Sequence, residues 1–367
     1  MRVGVPKETR PGERRVAAVP ETVRKMVDKG AEVAIEGGAG AEAAALDTAY
    51  AEAGARIVPG PEAWAADVVL KVRPPTSAEA GCLAAGATLV SFLHPDAEPD
   101  AFRALSDRGV TALAMEAIPR IARAQKMDAV SAMANIAGYK AVLEAANAFG
   151  RYFPLLMTAA GTVTPAHVLV IGAGVAGLSA IATAKRLGAV VRAFDPRPPV
   201  REQVESLGAR FIELELTIEE TSGGYAATQT DEFLEKERSL LAGHVREVDV
   251  IVTTALILGQ SAPVLVTQEM VRSMRPGSVI VDLASERGGN CALTRPDETI
   301  VEGGVTILGE TNFPSRMAGA ASILYARTLL NLLLHAWGED GLVFDLEDEI
   351  VGATALLYRG ADRREAR

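Results

Sequence analysis

Residues 166–195 read AHVLVIGAGVAGLSAIATAKRLGAVVRAFD, and this stretch decides the fold. A β-type run, HVLVI, leads into a turn with glycines at 172, 174 and 177. A helical pattern then runs to Gly188, and a second β-type run ends on Asp195. In a chain with 34 glycines the G-x-G-x-x-G spacing alone is a weak signal. Its context makes it specific: a strand before, a helix after, and a carboxylate at the end of the next strand. Gly172 permits the tight turn, Gly174 removes a side chain where a pyrophosphate approaches, and Gly177 lets helix and strand pack closely. The helix N-terminus then offers unpaired N–H groups and its positive dipole end to the phosphates. Residues 166–184 of the same stretch could be misread as a membrane span, but they are Gly/Ala-rich and bracketed by His167 and Lys185. No other run approaches that length, so no direct membrane insertion is expected.

Asp195 points to the cofactor. A carboxylate at that strand end accepts hydrogen bonds from the adenosine ribose hydroxyls and repels a 2′-phosphate, which favours NAD(H). Arg197, between two prolines in the DPRPP turn, could in principle pair with such a phosphate, so NADP stays open at this point.

Outward from this unit, strands alternate with helices in two series. MRVGVP, AEVAIEG, ADVVLKV, ATLVSFLH and TALAMEA are the strands of the first. ETVRKMVDKG, AEAAALDTAYAEAG and AEPDAFRALSDRG are its helices, each stopped by a glycine. A helix over 131–149 opens the second series. Its strands are HVLVIG, AVVRAFD, ARFIEL, VDVIVTTA, GSVIVDLA and VTILGE. The apolar pattern MAGAASILYARTLLNLLLHAW then predicts a long helix that returns to the first series, with only a short acidic tail after it. The expected architecture is α/β: two doubly wound Rossmann-like domains with parallel sheets, the first discontinuous and completed by the C-terminal helix. The boundaries are 1–130 plus 314–367 for the N-terminal domain and 131–313 for the NAD(H)-binding domain.

Composition agrees with two cores. The chain has 367 residues, 49% apolar and 23% charged, too long for one ordinary core and too apolar for disorder. A net charge of −10 argues against a nucleic-acid surface, which needs a basic stripe to neutralise phosphates. Two cysteines, Cys82 and Cys291, form no CxxC and no pairable set, which suits a reduced compartment; no metal site is expected.

Two constellations compete to meet the nicotinamide. Arg15, Lys71 and His94 stand in the first half, the last two at strand ends where open α/β sheets place ligands. An arginine and a lysine could hold a small carboxylate, and a histidine could move a proton at neutral pH. The second constellation is the polar run PRIARAQKMDA, residues 119–129, with Arg120, Gln125 and Asp128, followed by Ser131. Read alone, Asp128 or Ser131 caps the next helix and Arg120 pairs with it.

MRVGVPKET, ERRVAAVP and the LKV and FLH strand ends resemble the alanine dehydrogenase and nicotinamide nucleotide transhydrogenase superfamily. PRIARAQKMDAVSAMANIAGYKAV, TAAGTVTPAHVLVIGAGVAGLSAIATAKRLGAVVRAFDPRP and GGYA near 223–226 resemble, more narrowly, the NAD(H)-binding domain I of proton-translocating transhydrogenase. VDVIVTTALILG, SVIVDLASERGGN and TNFPSRM extend the likeness over nearly the whole chain. The resemblance implies direct hydride transfer from NADH bound here to NADP⁺ on a partner domain, coupled to proton translocation by a membrane-spanning partner. It implies that Arg120, Gln125, Asp128 and Ser131 line the nicotinamide and its ribose, at the junction between the domains. It also implies cofactor contacts at Gly172, Gly174, Val175, Gly177, Asp195, Arg197, Thr254, Ala255 and Leu256. A loop holding Gly224, Tyr225 and Ala226 would close over the nucleotide and exclude water. A homodimer, cytoplasmic and held at the inner face of the membrane through partner subunits, is implied in the same way. Glu286 stands where a dehydrogenase of the superfamily is expected to have aspartate. An NAD-dependent alanine dehydrogenase and a non-catalytic NAD(H)-binding module remain the alternatives.

Overall fold

The computed structural model describes residues 1–214, 230–256, 261–339 and 341–364. Contacts divide the chain into two compact units, residues 1–133 with 314–367, and residues 134–313.

The first unit is built on six parallel strands: β1 (Arg2–Val5), β2 (Glu32–Glu36), β3 (Arg56–Val58), β4 (Val68–Leu70), β5 (Thr88–Ser91) and β6 (Thr111–Ala114). They lie in the order β6-β5-β4-β1-β2-β3. Every residue of β4, β5 and β6 is buried, as expected where helices cover both faces. β3 is an addition to the expected strands; three residues between Ala55 and Pro59 are too few to show a period. The helix expected over 41–54 is broken into a 3₁₀ turn, Ala41–Ala43, and a helix, Asp47–Glu52, with Ala44 left-handed between them. Gly30 ends the helix Pro20–Asp28 at φ 86°, the glycine stop read from the sequence.

The second unit opens with most of the helix Ala129–Ala148 and an exposed hairpin, β7 (Leu156–Thr158) and β8 (Gly161–Val163), that no strand signal announced. Its sheet holds β9 (His167–Ile171), β10 (Val190–Phe194), β11 (Arg210–Ile212), β12 (Val250–Thr253), β13 (Val279–Asp282), β14 (Thr299–Glu302) and β15 (Val305–Leu308). The order is β11-β10-β9-β12-β13-β15-β14, all parallel except the edge strand β14. β12 and β13, VIVT and VIVD, are buried throughout.

After residue 313 the chain returns to the first unit, and more than a helix completes it. β16 (Ala355–Tyr358) pairs antiparallel with β6, and β17 (Ala361–Asp362) pairs with β16, making an eight-stranded sheet. The helix Ala318–His335 packs on the same unit. Ser322 Oγ accepts from Val16 N–H at 3.0 Å, and Tyr325 O–H donates to Lys71 O at 2.8 Å. One expectation is corrected here. Residues Phe313–His335 are long and apolar enough to cross a membrane by length and composition. One apolar face is buried within the first unit, where Ala321, Tyr325, Leu329, Leu332 and Leu333 are at most 1% exposed, while Ile323, Leu324 and Leu334 stay exposed.

Candidate functional site

The glycine turn sits at the end of β9. Gly172 has φ 96°, and a Cβ there would come within 2.6 Å of Thr254 Oγ1. Thr254 in turn donates its hydroxyl to Gly172 O at 3.1 Å, tying the end of β12 to the turn. Gly174 is the N-cap of the helix Val175–Arg186. No side chain caps it, and a Cβ there would meet nothing within 4 Å. A Cβ at Gly177 would lie 1.9 Å from Gly172 O, so helix and strand approach to a distance only glycine allows. The tight turn at Gly172 and the close packing at Gly177 are two of the roles read from the spacing. An uncapped helix N-terminus beside open space has the donors and the room for a pyrophosphate, so the residues present fit a dinucleotide.

Asp195 follows β10 and is 5% exposed, and Arg197 is 8% exposed. Asp195 Oδ2 accepts from Ala173 N–H at 2.7 Å, which fixes the carboxylate against the glycine turn. Arg197 closes on it from the other side. Its Nε donates to Oδ1 at 2.8 Å, its Nη2 to Oδ2 at 2.8 Å and its backbone N–H to Oδ1 at 3.0 Å.

Thr254, Ala255 and Leu256 continue from β12. Thr254 N–H donates to Ile171 O at 2.8 Å. Val175 and Leu256 leave apolar side chains 41% and 38% exposed. Ala255 is held by a residue that sequence reasoning missed. Asn290 is fully buried; its Oδ1 accepts from Ala255 N–H at 2.9 Å, and its Nδ2 donates to Ala255 O and Pro263 O, both at 2.8 Å. Asp282, at the end of β13, gathers four donors: Thr253 Oγ1, Ala284 N–H, Cys291 N–H and Thr294 Oγ1. An aspartate at the end of a central strand was the available signal for Asp282. Nothing in GGNC announces Asn290.

In the first unit, Gln125 is exposed in the 3₁₀ helix Ala122–Met127, and Arg120 is exposed before it. Asp128 precedes the helix Ala129–Ala148 and accepts from Ser131 N–H at 2.8 Å and Ser131 Oγ–H at 2.5 Å. This is the capping geometry weighed from the sequence. Gly224, Tyr225 and Ala226 lie outside the described residues.

The rival constellation is charged and paired. Arg15 is bidentate on Glu13, with Nε–Oε1 and Nη2–Oε2 both 2.7 Å, and the two side chains are 4% and 0% exposed. Lys71 Nζ lies 3.1 Å from Glu8 Oε2 and 3.4 Å from Glu79 Oε1, over the Trp64 ring at 5.3 Å. Burial pushes the Glu8 carboxyl up, against the pull of Lys71. His94 has φ 44°, its ring stacks on Phe92 at a centroid distance of 5.7 Å, and its backbone N–H donates to Glu116 Oε1 at 2.6 Å. Glu286 is exposed in the 3₁₀ turn Ser285–Arg287. Cys82 is exposed and Cys291 buried, and both are free. A surface groove between the helices Asp231–Val245 and Gln268–Ser273, lined by Arg238, Arg246, Thr267 and Glu269, carries none of these residues.

Comparison with known proteins covers almost the whole chain. Residues 4–137 match the family described as alanine dehydrogenase/PNT, N-terminal domain, and residues 141–364 its C-terminal domain. The NAD(P) transhydrogenase subunit alpha of Cereibacter sphaeroides is 49% identical over 369 residues, covering 98% of this chain and 71% of that protein. The alanine dehydrogenase of Bacillus subtilis (strain 168) is 31% identical over 332 residues, 88% of this chain and 82% of its own length. Among solved structures, the transhydrogenase from Sinorhizobium meliloti superposes with a TM-score of 0.91 at 45% identity, covering 99% of this chain and all of that one.

Proposed function

Since this chain belongs to the alanine dehydrogenase/PNT family, we propose that it is the NAD(H)-binding component of a proton-translocating transhydrogenase. Its partners are an NADP(H)-binding domain and a membrane-spanning proton-channel subunit, which hold it at the cytoplasmic face of the membrane, and it works as a homodimer. The observation that carries the nucleotide half is the uncapped glycine turn, with open space at Gly174 and Asp195 at the neighbouring strand end.

When bound, NADH supplies a hydride from C4 of its nicotinamide; NADP⁺ on the partner domain accepts it at C4, giving NAD⁺ and NADPH. The residues of this chain bind and orient. The N–H groups at the start of the helix Val175–Arg186 receive the pyrophosphate. Asp195 accepts from the adenosine ribose by yielding lone-pair sites now held by the Arg197 guanidinium. Val175 and Leu256 give apolar contact, while Asn290 keeps the Thr254–Leu256 backbone from shifting. The Ser131 hydroxyl donates to Asp128, which leaves its oxygen free to accept from a carboxamide N–H. Arg120 and Gln125 are assigned to the same nicotinamide and its ribose, and Gly224, Tyr225 and Ala226 to closure over it. No proton moves at the reacting carbon, so no general base is asked of these residues; what they must supply is position.

An amino-acid dehydrogenase would need free cations for the substrate carboxylate. Arg15 and Lys71 are instead buried and ion-paired with Glu13 and Glu8, which supports the transhydrogenase reading. A three-arm assay on the purified chain tests it. NADH should bind, and pyruvate with ammonium should leave it unoxidised. Adding an NADP(H)-binding partner domain should start hydride exchange. NADH oxidation by pyruvate and ammonium overturns the reading, and tight NADH binding with no exchange reduces the chain to a binding module. Gln125→Asn should slow exchange about 10-fold while NADH affinity stays within about 2-fold.

A further inference from the structure

Gln125 lies in the 3₁₀ helix Ala122–Met127, and six residues of that geometry are more than such a helix usually sustains by itself. Ala124 and Met127, one turn apart, are 0% and 1% exposed and anchor the inner side. Arg123, Gln125 and Lys126 stand exposed on the outer side. An alanine methyl and a flexible thioether set the depth of the helix but hold its rotation weakly. The outer side is tied at two places, both by residues more than 200 positions later. Asn331, in the helix Ala318–His335, donates Nδ2–H to Lys126 O at 2.8 Å. Arg123 Nη1 donates to Asp348 Oδ2 at 2.8 Å. Asp348 is itself fixed: its Oδ1 accepts from Ile350 N–H at 2.9 Å and Val351 N–H at 3.0 Å, and lies 3.0 Å from His335 Nε2. Gln125 therefore sits between two tethers, two residues after one and one residue before the other. With the Arg123 side chain 51% exposed, its ion pair adds little to stability. What the two bonds fix is the path of the backbone through residue 125.

We propose that Asn331 is a positioning residue for hydride transfer, with the Arg123–Asp348 pair as its counterpart: together they hold the backbone at Gln125 so that its amide is presented in one place. The proposal rests on the role given to Gln125 above and extends that site to the helix Ala318–His335. A reaction that asks only for position is sensitive to such support, since a shift of about 1 Å at a positioning group can cost about 100-fold in rate. Asn331 touches neither nucleotide in this scheme and acts through Gln125.

Two measurements on the full chain test this: hydride exchange at saturating NADH and NADP(H)-binding partner domain, and NADH affinity read by nucleotide fluorescence. The proteins are the wild type, Asn331→Leu, Gln125→Asn and the double variant. Asn331→Leu keeps the size of the side chain and removes the donor. It should slow exchange about 10-fold, with NADH affinity within about 2-fold of wild type. In the Gln125→Asn background the same change should cost less than about 2-fold, because the group it positions is already misplaced. If Asn331→Leu does not fold, Arg123→Met cuts the other tether from an exposed site and takes its place in the cycle. Its expected loss is smaller, about 3-fold, and should vanish in the Gln125→Asn background. Exchange unchanged in folded Asn331→Leu, a loss that recurs in full beside Gln125→Asn, or a parallel fall in NADH affinity overturns the positioning proposal and leaves the transhydrogenase reading standing. Absence of exchange in the wild type removes that reading, and the proposal with it.

Discussion

Each of the two sheets reverses its strand order at one point, between β1 and β4 in the first unit and between β9 and β12 in the second. Open α/β sheets place ligands at such points, outside the carboxyl ends of the strands. The second unit supplies glycines there, so backbone N–H groups and empty space face outward. The first unit supplies long charged side chains. Glu8 follows β1, Lys71 follows β4, and the two meet at 3.1 Å with side chains 3% and 1% exposed. One topology therefore gives the proposed nucleotide site where side chains are withheld and a buried ion-pair cluster where they are not. The difference lies in the residues and not in the fold.

The largest effect should come from unbalancing the filled crevice. Lys71→Met leaves Glu8 buried without its cation, which typically costs about 3–5 kcal/mol. Urea unfolding should show that loss, while NADH affinity stays within about 2-fold of wild type. Burial already pushes the Glu8 carboxyl up. In the variant, without the opposing pull of Lys71, lowering the pH should recover stability as the carboxyl takes its proton. Glu8→Gln/Lys71→Met should also regain much of the loss. A 10-fold or greater fall in NADH affinity in Lys71→Met would break the comparison by bringing this crevice into the nucleotide machinery.

The open crevice should respond the other way. Gly177→Ala places a methyl 1.9 Å from Gly172 O, a backbone atom with no flexible end to yield. Helix and strand must move apart, at about 1–3 kcal/mol of stability, and NADH affinity should fall about 10-fold or more as the turn opens. Equal NADH affinity in a folded Gly177→Ala protein would mean that the close approach serves packing alone.

The two crevices were not equally legible in sequence. GAGVAG could be read because each glycine states a local backbone demand, and local demands are what a sequence displays. Capping by Asp128 was legible for the same reason, its partner being three residues on. Glu8 and Lys71 are 63 residues apart, and nothing in either neighbourhood announces that they meet. Short elements were lost likewise: β3 has three residues and β17 two, below any period. The return of the C-terminal helix was legible from its apolar face. That two strands follow it into the sheet was not, because ALLY pairs with β6 about 240 residues upstream. Asn290 makes its contacts with residues 27 and 35 positions away.

A smaller effect separates the buried pairs of the first unit from those at its surface. Glu21 is hydrogen-bonded by Arg327 at 2.5 Å and by Lys25 at 2.8 Å, and these bonds lower its carboxyl from 4.5 to about 2. A depressed carboxylate stabilises the fold fully above its unfolded pKa, and the contribution is lost as pH falls through the folded value. The window for Glu21 therefore runs from about 4.5 down to about 2. The side chains of Glu21 and Arg327 are 41% and 50% exposed, so solvent screening holds the contribution to less than about 1 kcal/mol. Glu21→Gln should therefore cost less than about 1 kcal/mol near neutral pH. Thermal unfolding of wild type and variant should converge as pH drops through that window, and added salt should narrow the gap at neutral pH. A gap that persists unchanged down to about pH 2, the folded value, would mean that Glu21 acts through packing rather than charge. The surface pair would then differ from the Glu8–Lys71 pair in kind and not in size alone.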